Sequence, residues 1–349
     1  MSTMLTKAAV LGTAAALFTS GVAHADAAAL RARAKALLGT PPPIAESATN
    51  AVTEAKAGLG RMLYFDKRLS VDNDLSCNSC HHLDKFGVDN EKTSAGHKGQ
   101  RGDRNSPTSF NAAGHIAQFW DGRAADVEAQ AKGPVLNPVE MAMPDEKTVV
   151  AVLKSMPEYV TLFQKAFPGE KDPVTYDNMA KAIGAFERRL LTPSRWDKFL
   201  AGDQKALTDA EKTGFLKFSD AGCATCHMGP YLGGSMYQKL GVVKPYPGLK
   251  DDGRMKATKV AEDKAFFKVP SLRNIEKTYP YFHDGHVKTL EEAVAKMSDY
   301  QVGKKLTPAD AAAIVTWLKT LTGPLPVDYI KPPKLPASTA KTPKPSTTD

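Results

Sequence analysis

Cys77-Asn78-Ser79-Cys80-His81 and Cys223-Ala224-Thr225-Cys226-His227 contain all 4 cysteines of this 349-residue chain. In each stretch two thiols lie a turn apart, and a histidine follows the second thiol directly. C-x-x-C-H is the attachment motif for c-type haem, in which the thiols form thioethers to the haem vinyl groups and the imidazole binds the iron. A redox dithiol, a disulfide or a zinc site does not require a histidine behind both pairs. The sequence therefore predicts two covalently bound haem c groups.

The periodicity around both motifs is helical, and no region is rich in predicted strands. Residues 51–65 form an amphipathic pattern, and a capping box of Thr208 and Glu211 opens the helix that leads into the second motif. A last helix opens at Thr307-Pro308, with proline in its first turn. Residues 66–145 are instead rich in Gly, Asn, Asp and Pro, which is typical of a loop that wraps around a bound group. We expect a mainly α fold.

The first 25 residues have the pattern of a secretory signal peptide. Lys7 precedes the short apolar run 8–18, and Ala23-His24-Ala25 follows as a cleavage site. A membrane anchor would need about 20 apolar residues. The leader predicts a periplasmic protein whose mature chain, from residue 26, has no membrane span.

Composition divides the mature chain into three segments. A proline at position 193 ends a helical pattern, and we place a domain boundary there, giving domains 26–195 and 196–330 with one C-x-x-C-H motif each. Residues 331–349 are rich in Pro, Lys and Thr and are predicted to be disordered.

The formal net charge of +8 does not indicate a nucleic-acid partner. Removing Lys7 and the tail, which has four lysines and one aspartate, leaves about +4 on the body without a basic run. Four haem propionates would bring that charge close to zero. The charge therefore excludes nucleic-acid binding and predicts no strong electrostatic steering of a partner.

The second axial ligand decides what each haem can do, because His/Met ligation suits electron transfer and a displaceable ligand allows peroxide to bind. His97 lies in the glycine-flanked loop 94–99, and Met297 ends the predicted helix 290–297. The residues alone also permit a surface histidine and a core methionine at these positions. The other candidates are His82, His115, His283, His286, Met228, Met236 and Met255.

From about residue 45 to 325 the sequence resembles the bacterial dihaem cytochrome c peroxidases. The resemblance rests on four motifs: Phe119-Trp120-Asp121-Gly122-Arg123, Asn137-Pro138-Val139-Glu140-Met141, Val269-Pro270-Ser271-Leu272-Arg273-Asn274 and Tyr281-Phe282-His283-Asp284-Gly285. It implies two cytochrome c-like domains, each wrapped around one covalent haem. It also implies an enzyme that reduces hydrogen peroxide with electrons from a small c-type cytochrome or cupredoxin.

The resemblance assigns different roles to the two haems. The N-terminal peroxidatic iron would be held by His81, with His97 as a displaceable distal ligand. The C-terminal, high-potential iron would be held by His227 and Met297. Trp120 would lie between the haems and pass electrons.

Other residues match the family at the reaction site and at a calcium site. Glu140 is the implied proton shuttle, since a carboxylate in a mostly apolar pocket suits that role, and Gln130 would orient peroxide. Calcium would be bound by the Asn105 side chain and by the carbonyls of Thr278 and Pro280, and would support a homodimer.

Two rival functions are compatible with two haems. A relative that matures methylamine dehydrogenase shares the fold, oxidises protein tryptophans and has tyrosine in place of methionine at the high-potential haem. Tyr300 lies near Met297 in this chain. A simple dihaem electron carrier would need neither Glu140 nor Gln130.

Overall fold

The computed structural model describes residues 27–346, which are mainly helical. Two short strands, β1 and β2, pair antiparallel with Tyr237 opposite Lys268. The helices and strands are α1 (27–37), α2 (Glu54–Phe65), α3 (Cys77–Cys80), α4 (Val127–Leu136), α5 (Glu146–Lys154), α6 (Pro157–Ala166), α7 (Tyr176–Glu187), α8 (Arg195–Ala201), α9 (Asp209–Ala221), β1 (Tyr237–Lys239), α10 (Met255–Thr258), β2 (Phe266–Lys268), α11 (Leu290–Lys296), a π-helix (Met297–Val302), α12 (Pro308–Leu318) and α13 (Val327–Ile330).

The same helix pairing occurs in both halves of the molecule. The helix before the first motif, α2, crosses α7, and the helix before the second motif, α9, crosses α12. At the first crossing a Cβ atom on Gly60 would lie 1.8 Å from the carbonyl oxygen of Ala182, and at the second a Cβ on Gly214 would lie 2.1 Å from that of Ala313. The backbones therefore touch at a glycine in each crossing.

Two apolar cores form around these crossings. The first contains Tyr64 and Phe186, whose ring centroids lie 5.3 Å apart. The second centres on Trp196, Phe215 and Trp317, with centroid separations of 4.9 Å from Trp196 to Phe215 and 5.3 Å from Trp196 to Trp317. Such aromatic clusters bury a large apolar area and account for much of the packing in each half.

Helix α1 lies in the N-terminal segment of the chain and packs in the second core. Leu30, Ala34 and Leu38 are buried there because their spacing places them on one face of the helix. At the end of α1 the carbonyl of Leu37 accepts a hydrogen bond from the N–H of Gly229, 3.1 Å, just behind the second motif. This segment therefore crosses the predicted boundary between the domains.

The tail crosses that boundary in the other direction. The sequence predicts disorder after residue 330, whereas the structure lays residues 331–346 along the first half of the molecule. Arg68 Nη1 donates to the carbonyl of Pro336, 2.9 Å, and the N–H of Ser346 donates to the carbonyl of Val71, 3.0 Å. Proline-rich backbone forms few hydrogen bonds within itself, so the tail both accepts hydrogen bonds from the first domain and donates to it.

The local helix signals are confirmed. Thr208 and Glu211 form the capping box of α9, and Thr307 caps α12 with proline in its first turn. Helices α5 and α6 are separated just before Pro157, which is the first residue of α6. The predicted signal peptide lies outside the described residues. Within residues 27–346, every helix is too short or too polar to cross a bilayer.

The glycine crossing gives a test of the packing. Gly60→Ala forces a methyl group into the backbone of α7 and is expected to lower the free energy of unfolding by about 1–3 kcal/mol, as overpacked cores do. Gly58→Ala is the matched control, because a Cβ there meets nothing within 4 Å and helix propensity alone favours it by about 0.5–1 kcal/mol. Urea unfolding followed by far-UV circular dichroism measures both. Equal stability of the two variants would contradict the close crossing.

Candidate active site

The first C-x-x-C-H motif is a single turn of helix. Helix α3 is capped by Ser76, whose backbone N–H donates a hydrogen bond to Ser79 Oγ, 3.0 Å. His81 ends the turn, and its carbonyl accepts a hydrogen bond from the Tyr64 hydroxyl, 3.1 Å. The helix places Cys77 and Cys80 on one side and fixes the backbone of the histidine that follows. This is the arrangement that attachment of a haem requires.

Glu140 lies close to that motif. Burial raises the pKa of the Cys80 thiol to about 11, and the charges of Asp89 and Glu140 act in the same direction. Burial also raises the pKa of Glu140 itself above the ordinary carboxylate value, although Arg123 opposes the change. Asn137 Nδ2 donates to Glu140 Oε1 at 2.9 Å and orients the carboxylate. A carboxylate in this setting can take up and release a proton near neutral pH more readily than a solvated one.

His97 lies on the short turn His97–Gly99, outside the long helices. Its N–H donates to the carbonyl of Glu140, 2.7 Å, and its ring Nδ1 is 3.0 Å from Asp72 Oδ2. An imidazole whose Nδ1 faces a carboxylate presents Nε2 as the atom for a metal. Sequence reasoning missed Asp72, because no local pattern links positions 25 residues apart. Gln130 lies half-buried on α4.

The second motif opens on an apolar cavity of about 240 Å³. Cys223, Cys226, His227 and Met297 all line it, and Met297 is the first residue of the π-helix. His227 Nδ1 lies 3.2 Å from the carbonyl oxygen of Leu232, which leaves Nε2 for a metal. Two thiols, an imidazole and a thioether around one apolar cavity fit a covalent haem with His/Met ligation.

Tyr300, the alternative ligand, is directed elsewhere. Its ring packs edge-to-face against Tyr246 with a centroid separation of 5.4 Å. Of the four candidate methionines, Met297 lines the cavity together with His227. Met228, Met236 and Met255 do not line it.

Trp120 joins the two halves of the molecule. Its Nε1–H donates to the carbonyl of Asn105, 2.9 Å, and its ring meets His283 edge-to-face at 6.4 Å. Its own carbonyl accepts the N–H of Lys268 on β2, 2.8 Å. Trp120 also lines the cavity of the second motif. Trp120 is therefore held between the halves through both its indole and its backbone.

The residues of the predicted calcium site lie on that same cavity wall. Asn105, Thr278 and Pro280 all line it. Asn105 Nδ2 donates to the carbonyl of Glu91, 2.9 Å, so Oδ1 is the atom that would face a cation. Among residues 27–346 no group of three or more His, Cys, Asp and Glu side chains could hold a metal ion. A site made of amide and carbonyl oxygens lies outside that class, so calcium stays a prediction.

Comparison with known proteins identifies the family. Residues 54–205 match the model of di-haem cytochrome c peroxidases, and residues 212–322 match the cytochrome c model. The cytochrome c551 peroxidase of Pseudomonas aeruginosa is 46% identical over 343 residues, which cover 96% of this chain and 97% of that protein. The chain belongs to the di-haem cytochrome c peroxidase family. The predictions of a mainly helical fold and of two haem c groups are confirmed at this level.

Two further proteins support the family. The cytochrome c551 peroxidase of Nitrosomonas europaea is 49% identical over 290 residues, 82% of this chain and 85% of that protein. The crystal structure of a MauG-like protein associated with microbial copper homeostasis has a TM-score of 0.75 at 29% identity, and covers 84% of this chain and 97% of that one. The chain is therefore similar both to cytochrome c peroxidases and to a MauG-like protein.

Replacement of Met297 tests the ligand at the second haem. Met297→Ala removes the thioether, and the reduction potential of that haem is expected to fall by on the order of 0.1 V, a fraction of the roughly 0.8 V that axial ligands span. Tyr300→Phe is the control and should leave the potential unchanged, because its ring contacts Tyr246. Spectroelectrochemical titration measures both. A potential that responds to Tyr300→Phe and not to Met297→Ala would assign the ligand to tyrosine.

Proposed function

We propose that this chain is a periplasmic peroxidase that reduces hydrogen peroxide to water with electrons from a small c-type cytochrome or cupredoxin. The observation that carries the proposal is the difference between its two haem sites. At the second site Met297 and His227 line one apolar cavity, as suits an electron-transfer centre. At the first site the partner histidine lies on a short turn beside the half-buried acid Glu140.

The haem groups supply the redox chemistry, and the residues of the chain supply access, orientation and protons. Glu140 takes the proton from the inner oxygen of peroxide and returns one to the leaving oxygen. Gln130 orients the substrate by hydrogen bonding. Trp120, bound to both halves, carries electrons between the two sites. Peroxide reduction to two waters consumes two electrons and two protons, so a proton carrier at the first site is necessary.

His97 acts as the gate in this proposal. Its ring is held from one side by Asp72 and its backbone by Glu140. With haem bound, His97 would ligate the iron of the first site, and displacement of this histidine on reduction of the protein would give peroxide access to that site. Because the backbone of Glu140 is bonded to that of His97, release of the turn also frees the acid.

Calcium and a homodimer complete the proposal. Asn105 binds Trp120 through its carbonyl and presents Oδ1 for a cation. A calcium ion bound there by Asn105, Thr278 and Pro280 would stabilise the loop between the two haem sites. The active form is then a calcium-bound dimer.

Peroxide turnover with a reduced small cytochrome c tests both the activity and the gate. The wild-type protein with calcium is expected to be slow when fully oxidised and fast when half-reduced. His97→Gly is expected to be fast in both states, because it removes the ligand. His286→Gly is the matched control, since His286 pairs with Asp284 at 2.9 Å on the surface. Absence of turnover in every state would reject the peroxidase, and a His97→Gly variant that still needs reduction would reject the gate alone.

Replacement of Glu140 tests the proton carrier. Glu140→Gln is expected to lower kcat/KM by about 10²–10³-fold, the range for loss of a general acid–base. Because the pKa of Glu140 is raised, wild-type activity that depends on its carboxylate should fall, as the pH drops, at a higher pH than an ordinary carboxylate predicts. That acid limb should vanish in Glu140→Gln. The exposed Glu146→Gln is the control, and an unchanged pH profile in the Glu140 variant would contradict the role.

A further inference from the structure

Lys268 and His115 form a buried polar pair in the wall of the second cavity. Lys268 is 8% exposed, and both side chains line the same cavity as His227. Lys268 Nζ donates to the carbonyl of Ala117, 2.8 Å, and lies 3.3 Å from His115 Nδ1. His115 Nε2 is buried and has no hydrogen-bond partner among the described residues. Neither residue has a role in the function proposed above.

The hydrogen-bond pattern defines what this pair can bind. An ammonium group only donates, so His115 Nδ1 is the acceptor and the ring proton is on Nε2. The pair then offers a free N–H of His115 and the third hydrogen of the Lys268 ammonium. Two buried donors of this kind, one of them charged, match a carboxylate.

Within residues 27–346 no carboxylate pairs with Lys268 or His115. Burial alone lowers the pKa of Lys268 to about 8, and burial together with the charge of Lys268 lowers that of His115 well below its ordinary value. Of the described residues, none forms an ion pair with Lys268. On the neighbouring Trp120 loop, Asp121 is already bound by Arg104 at 2.6 Å and by Arg123 at 3.1 Å.

The other titratable groups around the pair do not supply a negative charge. Tyr231 packs edge-to-face on His115 at 5.7 Å, and burial raises its pKa, so it stays neutral. On β1, the strand paired with Lys268, Lys239 is a further cation. A buried ammonium without an anionic partner destabilises the interior, so an anion in the cavity would stabilise the folded protein.

We propose that Lys268 and His115 are the subsite for a propionate carboxylate of the C-terminal haem, where they position the haem against Trp120. The proposal rests on the proposed function in so far as that cavity takes a haem. The same Lys268 residue donates its backbone N–H to the Trp120 carbonyl, 2.8 Å. One residue thus holds both the haem carboxylate and the loop of the electron-transfer tryptophan.

The reduction potential of the C-terminal haem tests this subsite without using turnover. Lys268→Met removes a buried positive charge beside the haem, which favours the ferric state. We expect the ferrous/ferric equilibrium to shift about tenfold toward ferric, a fall of about 59 mV for one electron. Lys268→Arg keeps the charge and should shift it much less. Lys264→Met is the matched control, because Lys264 is an exposed lysine of the same segment.

Two readouts keep the test decisive. Haem content and the propionate-bending band in resonance Raman spectra are measured on each purified holoprotein, and the band should shift in Lys268→Met but not in Lys264→Met. If Lys268→Met does not fold, His115→Gln, which replaces the Nε2 donor by an amide, should shift the same band and lower the potential. Equal potentials and spectra in the Lys268 or His115 variant and in the Lys264 control would overturn the subsite. If Lys268→Met shows the expected changes in potential and propionate band, but the wild-type protein has no peroxide turnover, the peroxidase function is rejected and the subsite is retained.

Discussion

The contact of two helix backbones at a glycine is the constraint on which each half of this protein depends. Gly60 and Gly214 allow the helix that precedes each C-x-x-C-H motif to touch its partner helix. In the second half the end of α9, and with it the start of the motif at Cys223, is then fixed relative to the core. In the first half residues 66–76 separate α2 from the motif, and the Tyr64 hydroxyl of α2 bonds the carbonyl of His81 instead. The wall of the second cavity comes from loops together with residues of α9, α11 and α12. The loops are free to differ between the two halves because the crossing already supplies the rigid frame. A larger side chain at the crossing would move the attachment site itself.

On that shared frame the two motifs acquire different surroundings. The second faces an apolar cavity closed by the π-helix that begins at Met297. The first faces charged groups on short turns, and a line of backbone hydrogen bonds connects them. Val71 donates to Met141, and His97 donates to Glu140, the residue before Met141. The turn that carries His97 and the backbone of Glu140 therefore belong to one hydrogen-bonded unit, so a displacement of the turn also moves Glu140.

The sequence predicts well those features that depend on residues close together in the chain. The haem motifs, the Thr208–Glu211 capping box and the proline in the first turn of α12 act within a few residues, so the chain near them dictates the structure. The methionine ligand depends on distant contacts, so spacing alone leaves four methionines open, and the resemblance to the family indicates Met297. Asp72 beside His97 and the Lys268–His115 pair are also long-range, separated by 25 and 153 residues. The family motifs supplied residue roles that spacing alone did not.

Each end of the chain packs against the half that contains the other end, and this affects how the protein folds during synthesis. Helix α1 has its apolar partners, such as Trp317, near the other end of the sequence, and the first half is completed by residues 331–346. During synthesis the N-terminal residues emerge first, at about 5–20 residues per second. Neither half can complete its packing until the ribosome has nearly finished the chain. Completion of the two halves is therefore a single late event, and a nascent chain that stops short leaves both of them open.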